Sequence, residues 1–214
     1  MLKAVIFDLD GTLTDSDKVH FQVFQEIFAQ QGIVLDKSLY KQKISGRQNA
    51  DIMADFFPDL SATEGEAFSA QKEATFRERA KSQLVPLPGL LDLLARIQQA
   101  GLAAALVTNA PPKNATFMLQ TLSLSEAFNP VVIADKLPRG KPDPLPYQTA
   151  LDKLAITAAE AIVFEDSRAG ICSAVRAGIV TVGVTTTHGA EELRSVGATA
   201  TIADFTDASL KTMI

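Results

Sequence analysis

Short apolar, β-branched runs alternate with helical stretches along most of this chain, and most of the runs end on polar or acidic residues. Lys3–Phe7 leads into Asp8 and Asp10, Leu102–Val107 into Thr108 and Asn109, Pro130–Ala134 into Asp135, and Ala161–Phe164 into Glu165 and Asp166. Ile179–Val184 and Ala200–Ile202 complete the series. Between these runs, Pro88–Ala100, Pro112–Leu122, Tyr147–Leu154 and Ala169–Ala177 carry helical spacing, with Gly101 and Gly178 as stops. Strand–helix alternation of this kind predicts an α/β fold, a Rossmann-like parallel sheet with helices on both faces. Ligands of such sheets bind beyond the carboxyl ends of the strands. Asp8, Asp10, Thr108, Asn109, Glu165 and Asp166 all stand at such ends.

Residues 15–85 break the alternation. Val19, Val23 and Ile27 mark a helical stripe, with Phe24 and Phe28 beside it and a stop at Gly32. Arg47–Phe57 reads as a helix ended by Pro58. Ser61-Ala62-Thr63-Glu64 has capping-box spacing ahead of a long helix, Glu64–Ala80. With no strand-like run among them, these residues are expected to form an all-helical insertion, 15–85. The sheet domain is then discontinuous, 1–14 and 86–214, and is rejoined through a stretch stiffened by Pro86 and Pro88.

A formal net charge of -5 argues against a nucleic-acid partner, which would need a basic face. A single cysteine, Cys172, excludes an internal disulfide framework and suits a reducing compartment. No apolar run approaches the length of a membrane span, and no cationic leader precedes the first strand. The expectation is a soluble cytoplasmic protein without a membrane partner. Nothing in the pattern sets its oligomeric state, whether monomer or weak homodimer.

Asp8 and Asp10 are two apart, the strand repeat that puts both side chains on one face, and Gly11 lets the chain turn just beyond them. Carboxylates that close repel, and each makes the other harder to ionise. A cation or a shared proton relieves the repulsion, and so would a solvated turn. Those residues alone leave both readings open. The remaining strand ends tip the balance, because Glu165 and Asp166 add oxygens suited to a hard cation such as Mg²⁺. Thr108, Asn109 and Lys141, the last in Gly140-Lys141-Pro142-Asp143-Pro144, supply donors for an anion. Phosphoryl transfer, in which positioning and charge stabilisation dominate, suits such a set. Gly140-Lys141 is no Walker loop, since Asp135 and Pro142 stand where that loop needs Gly and Ser/Thr. No serine-nucleophile elbow or zinc-binding His-Glu-x-x-His helix is present.

Asp8-Leu9-Asp10-Gly11-Thr12-Leu13, Thr108-Asn109, Lys141-Pro142 and Glu165-Asp166-Ser167 resemble the four ordered motifs of the haloacid-dehalogenase superfamily. With the helical insertion and Glu165–Ile171, the resemblance is to its β-phosphoglucomutase-like and phosphoglycolate-phosphatase-like branch, in which the insertion is a cap. The resemblance implies that Asp8 attacks phosphorus and forms an aspartyl-phosphate, while Asp10 serves as general acid and then base. It implies Mg²⁺ held by the Asp8 carboxylate, the Asp10 backbone carbonyl and Asp166, with Glu165 close by, and a phosphoryl group held by Thr108, Asn109 and Lys141. Dehalogenases and phosphonate-cleaving members of that superfamily lack the second aspartate, so the resemblance at Asp10 implies phosphate esters. The expected activity is a Mg²⁺-dependent phosphatase of small phosphorylated metabolites such as sugar phosphates. The rivals are a β-phosphoglucomutase-type phosphomutase and a non-catalytic phosphometabolite-binding module.

Other residues carry two readings. His20 matches a position where this branch often turns a histidine to the substrate, against a purely structural role. Lys43, Arg47 and Lys72 are the candidate substrate-gripping cations of the cap, against ordinary surface charges. Ser167 is read as a helix cap, Arg168 as a solvated first-turn residue, His188 as a loop residue and Cys172 as a small buried one.

Overall fold

A computed structural model of the protein describes residues 1–214. Six parallel strands, β1 (Ala4–Phe7), β2 (Ala103–Thr108), β3 (Val131–Ile133), β4 (Ala161–Glu165), β5 (Val180–Val184) and β6 (Ala200–Ile202), form one sheet in the order β3-β2-β1-β4-β5-β6. All four residues of β1, Ala-Val-Ile-Phe, are buried, as an interior strand of a sheet covered on both faces requires. Ala4 pairs with Ala103 on one side and with Ala161 on the other.

Side chains alternate across the sheet. Val5 and Phe7 face one layer with Leu106, Phe164 and Val182; Ile6 faces the other with Val107 and Val163. α5 (Leu90–Gln99) buries Leu90, Leu93 and Ile97 in the first layer, while α7 (Leu145–Leu154) buries Tyr147, Ala150 and Leu151 in the second. α6 (Pro112–Thr121) and α8 (Arg168–Arg176) follow β2 and β4 directly, and Ser167 caps α8 by accepting from Gly170 N at 3.0 Å.

Residues 17–80 hold α1 (Asp17–Gln30), α2 (Lys37–Lys43), α3 (Asn49–Phe56) and α4 (Ala62–Ala80), with no strand. Both halves of the Ser61–Glu64 capping box are formed. Phe24, Phe28, Leu35, Tyr40, Ile44, Ile52 and Met53 make a core within this segment. It is not insulated from the sheet: Val19, Phe76, Ala80 and Leu84 pack in the same cluster as Leu9, Leu13 and Leu90.

Several local expectations need correction. α2 was not anticipated, because Lys37–Lys43 contains only two apolar residues; it starts where Asp36 accepts from Leu39 N at 2.7 Å. The stripe of α1 runs through Val19, Val23, Phe24 and Phe28, leaving Ile27 half-buried. α9 (Ala190–Ser195) and α10 (Leu210–Met213) also went unread. His188 lies in the loop before α9, as expected, and is buried there, whereas Cys172 is partly exposed rather than buried. No helix is long and apolar enough to cross a membrane.

Candidate active site

Because every strand runs the same way, their carboxyl ends share one edge, and Asp8, Thr108, Glu165 and Asp166 meet there. Asp8 N donates to Phe164 O at 3.0 Å, so the ladder continues one residue past β1 and holds the Asp8 carboxylate over the sheet edge. Lys141 enters from the loop before α7. Its buried ammonium donates to Asp8 Oδ1 (2.5 Å), Glu165 Oε1 (2.7 Å) and Val107 O (2.9 Å), which uses all three of its hydrogens. Burial alone would strip its proton; the Asp8 and Glu165 charges overcome this and hold its pKa well above the ordinary lysine range.

Glu165 has no oxygen to spare. Oε1 takes Lys141, and Oε2 accepts from Ser167 N (2.9 Å) and Ser167 Oγ (3.0 Å). A Cβ at position 170 would lie 1.6 Å from Glu165 Oε1, so Gly170 is what lets the carboxylate lie against the start of α8. Asp166 differs: no cation reaches its carboxylate, which accepts from the Thr12 hydroxyl at 3.4 Å and lies beside the Thr187 hydroxyl. Burial, then the charges of Glu165 and Asp8, push Asp166 well above the usual carboxylate range. Burial likewise raises Asp8 to about 8, with Lys141 opposing and Glu165 adding to the rise. One oxygen from each of these three acids lies within 4.8 Å of the others. Three buried carboxylates against one ammonium are short of positive charge, and an all-oxygen donor set fits a hard divalent cation. The space for it is guarded by Gly11, where a Cβ would lie 2.1 Å from Asp166 Oδ2.

Asp10 points toward the helical segment. Its Oδ1 accepts from Ser16 Oγ (2.6 Å) and His20 Nε2 (3.1 Å). Burial raises its pKa, but the His20 and Ser16 bonds outweigh that, and Asp10 titrates below the ordinary value. His20 Nδ1 in turn faces Lys72 Nζ at 3.1 Å, so the neutral Nε2–H tautomer satisfies both contacts. The imidazole lies flat on Phe76, with centroids 3.8 Å apart. Lys72 also donates to Glu73 Oε1 at 2.7 Å. A polar chain therefore runs from Asp10 through His20 and Lys72 to Glu73.

The remaining expected residues fall in different places. Thr108 is buried with Oγ1 accepting from Ala110 N (2.9 Å), which leaves its hydroxyl hydrogen free to donate. The Asn109 side chain is committed elsewhere: Nδ2 donates to Gly46 O (3.0 Å) and Lys141 O (3.2 Å), and Oδ1 accepts from Lys141 N (3.0 Å). It ties the loop before α3 to the sheet edge. Lys43 is exposed and outside the pocket. Arg47 lines the pocket, but its guanidinium is held by Lys43 O (2.8 Å) and Asp55 Oδ2 (2.7 Å). Arg168 is exposed, 3.6 Å from Glu192. Residues that no local pattern flagged also line the pocket, among them Asp17, Tyr40, Asn49, Glu73 and Asn114. His188, also unflagged, supports Asp166 from behind, its Nδ1 donating to Asp166 O at 3.2 Å.

The chamber around Asp8 has a volume of about 80 Å³ and adjoins a groove of about 870 Å³ between α3, α4 and the start of α6. The helical segment sits closed on the sheet edge. Gly46, with φ of 73°, packs so tightly that a Cβ there would lie 2.6 Å from Ser167 Oγ.

The family model for haloacid dehalogenase-like hydrolases matches residues 5–184. Validoxylamine A 7'-phosphate phosphatase from Streptomyces hygroscopicus subsp. limoneus is 36% identical over 193 residues, covering 90% of each chain. β-Phosphoglucomutase from Bacillus subtilis is 29% identical, covering 86% of this chain and 83% of its own. Among solved structures, a hydrolase from Pseudomonas syringae superposes with a TM-score of 0.88 at 26% identity, covering 99% of this chain and 98% of the other.

Proposed function

The chain belongs to the haloacid dehalogenase-like hydrolases, and from that premise we propose a Mg²⁺-dependent phosphatase of small phosphate monoesters, sugar phosphates or similar metabolites, in which Asp8 is the nucleophile. Residues 1–14 and 86–214 are the catalytic domain in this reading, and 15–85 are the cap that closes over it and excludes bulk water. The observation that carries it is the division of labour among four acids: Asp8 held by Lys141, Glu165 spent on holding Lys141, Asp166 unpaired, and Asp10 gripped from the cap side by Ser16 and His20.

Lys141 occupies Asp8 Oδ1, so Oδ2 is the oxygen that attacks phosphorus in line. The bond from phosphorus to the leaving oxygen breaks as Asp10 delivers a proton to that oxygen. A water then attacks the phosphoryl group on Asp8, Asp10 takes a proton from it, and phosphate leaves with the Asp8 carboxylate restored. General acid–base help of this kind is worth about 10²–10⁴-fold. The low pKa of Asp10 suits the second step, where it must be ionised. Thr108 Oγ1 and the Leu9, Asp10 and Asn109 N–H groups, which donate no backbone hydrogen bond inside the protein, are the donors left for phosphoryl oxygens. Asp8, Asp166 and the Asp10 carbonyl are the groups that would hold Mg²⁺, with Glu165 acting behind them through Lys141. When bound, the cation supplies charge neutralisation for the phosphoryl oxygens and for the acids around them.

Phosphate release from a metabolite panel tests this reading. Activity is expected to need Mg²⁺ and to vanish in Asp8→Asn; indifference to either defeats the assignment. The similarity to a β-phosphoglucomutase keeps the mutase as the second reading. Conversion of glucose 1-phosphate to glucose 6-phosphate without free phosphate, primed by a trace of bisphosphate, would favour it.

A further inference from the structure

We propose that Asn114 is a positioning residue that clasps the helical segment shut over the catalytic chamber, its side-chain amide seated between an acid and a cation of α4. This rests on the phosphatase reading, in which closure precedes the chemistry. Beyond the Ser16–His20 stretch, where the two parts of the chain are joined, three side-chain hydrogen bonds cross from residues 15–85 to the sheet domain. Asn109 makes one of them, to Gly46 O at 3.0 Å. Asn114, on the first turn of α6 and only 1% exposed, makes the other two. Its Oδ1 accepts from Arg77 Nη1 at 2.5 Å, and its Nδ2 donates to Glu73 Oε2. No lysine or arginine of either part forms an ion pair with an acid of the other.

Both Asn114 bonds are charge-assisted, and one amide can make them together because it carries an acceptor for Arg77 and a donor for Glu73. The two charges also fix which way the amide is turned. Aspartate at this position would face Glu73 as a like charge, and leucine would leave both groups short of a partner. Glu73 and Arg77 stand four apart on α4 with the acid N-terminal, the order in which a helix pairs opposite charges. When the segment swings away, they can turn to each other; when it returns, the amide inserts between them. This exchange of partners keeps both charges satisfied in either position, so the clasp favours closure without locking it.

Steady-state kinetics of the full chain with Mg²⁺ and p-nitrophenyl phosphate test this. Loss of the clasp lowers the closed fraction of the free enzyme, which bound substrate then restores. Asn114→Leu is therefore expected to raise KM about tenfold or more, with kcat within about threefold of native. Arg77→Met, at a half-buried position, removes one bond and should raise KM about threefold; it covers the case in which the first variant does not fold. Added to Asn114→Leu it should cost nothing further, since the two act through one contact. Small-angle X-ray scattering reads closure without activity. The native chain should show a radius of gyration near the about 17 Å of a compact chain of this length. Asn114→Leu should exceed the native radius and return to it with Mg²⁺ and tungstate. Equal radii in a folded Asn114→Leu overturn the proposal, as do a fall in kcat at unchanged KM, additive losses in the double variant, or an unmoved KM in Arg77→Met. Absence of phosphate release from every ester by the native chain is a different failure, that of the phosphatase reading, and the scattering comparison then decides the clasp by itself.

Discussion

Glu165 Oε1 accepts from Lys141 Nζ at 2.7 Å, while Oε2 of the same carboxylate is held by Ser167. Glu165 therefore holds the lysine against Asp8, with one of its carboxylate oxygens within 4.8 Å of oxygens of Asp8 and Asp166. Glu165→Gln keeps the shape and removes the charge; kcat is expected to fall about 10–100-fold, with Mg²⁺ affinity changed less than in Asp166→Asn. Glu165→Ala leaves the ammonium half-paired in a dry site and should cost about 3–5 kcal/mol of stability. Steady-state kinetics over a Mg²⁺ titration, with urea unfolding, separate the two effects.

Asp166 is the acid without a countercharge, so Asp166→Asn should raise the melting temperature of metal-free protein and abolish its rise with Mg²⁺. The native chain should gain about 3 °C or more at saturating Mg²⁺. The pH dependence follows from the raised pKa values. Below the unfolded carboxylate pKa near 4 there is no penalty. As pH climbs toward about 8, the unfolded chain gives up protons that the folded chain keeps on Asp8 and Asp166. Metal-free stability should therefore decline across that window, and the Mg²⁺-induced gain should be larger at pH 8 than at pH 5.

His20 and Ser16 lower the Asp10 pKa. His20→Ala removes one donor, so the acid limb of the pH–kcat profile should move to higher pH, with kcat down about 10²-fold. A fall in kcat with no movement of that limb would assign His20 to packing on Phe76 alone.

Gly46→Ala adds a methyl group against Ser167 at a positive φ. Both the strain and the clash oppose closure of the helical segment, while the sheet core is untouched. The expectation is a fall in kcat/KM of about tenfold or more, with little change in the melting temperature.

Glu160 is held down to about 2, first by Lys3 and then by the backbone and hydroxyl of Thr157. A depressed carboxylate stabilises above its unfolded pKa and loses that contribution as pH falls toward 2. Glu160→Gln should therefore flatten the acid-unfolding curve below about pH 4.5. The site is at the surface, and the effect should shrink in high salt.

What could be read beforehand followed the reach of local patterns. Apolar runs ending in acids placed Asp8, Thr108, Glu165 and Asp166 at one edge, because a parallel sheet turns sequence position into spatial position. Longer-range facts were invisible. Lys72 and Glu73 look like any charged pair on a polar helix, and nothing links them to His20, Asn49 and Asn114 except the fold. The geometry also gave chemically interchangeable groups particular partners: the Asn109 amide bonds Gly46 O and Lys141 O, and Glu165 holds Lys141 beside Asp8 and Asp166. Residue type announced polarity there, but only packing decided which polar partner each group found.

The central place of β1 has a bearing on how the chain is made. Ala4 is translated well before its partners Ala103 and Ala161. Until then an apolar strand with two unpaired edges waits in the nascent chain, and Asp8 beside it has neither its lysine nor its neighbouring acids. The enzyme therefore cannot acquire activity piecemeal, and its vulnerability to aggregation is concentrated in the interval before β4 arrives.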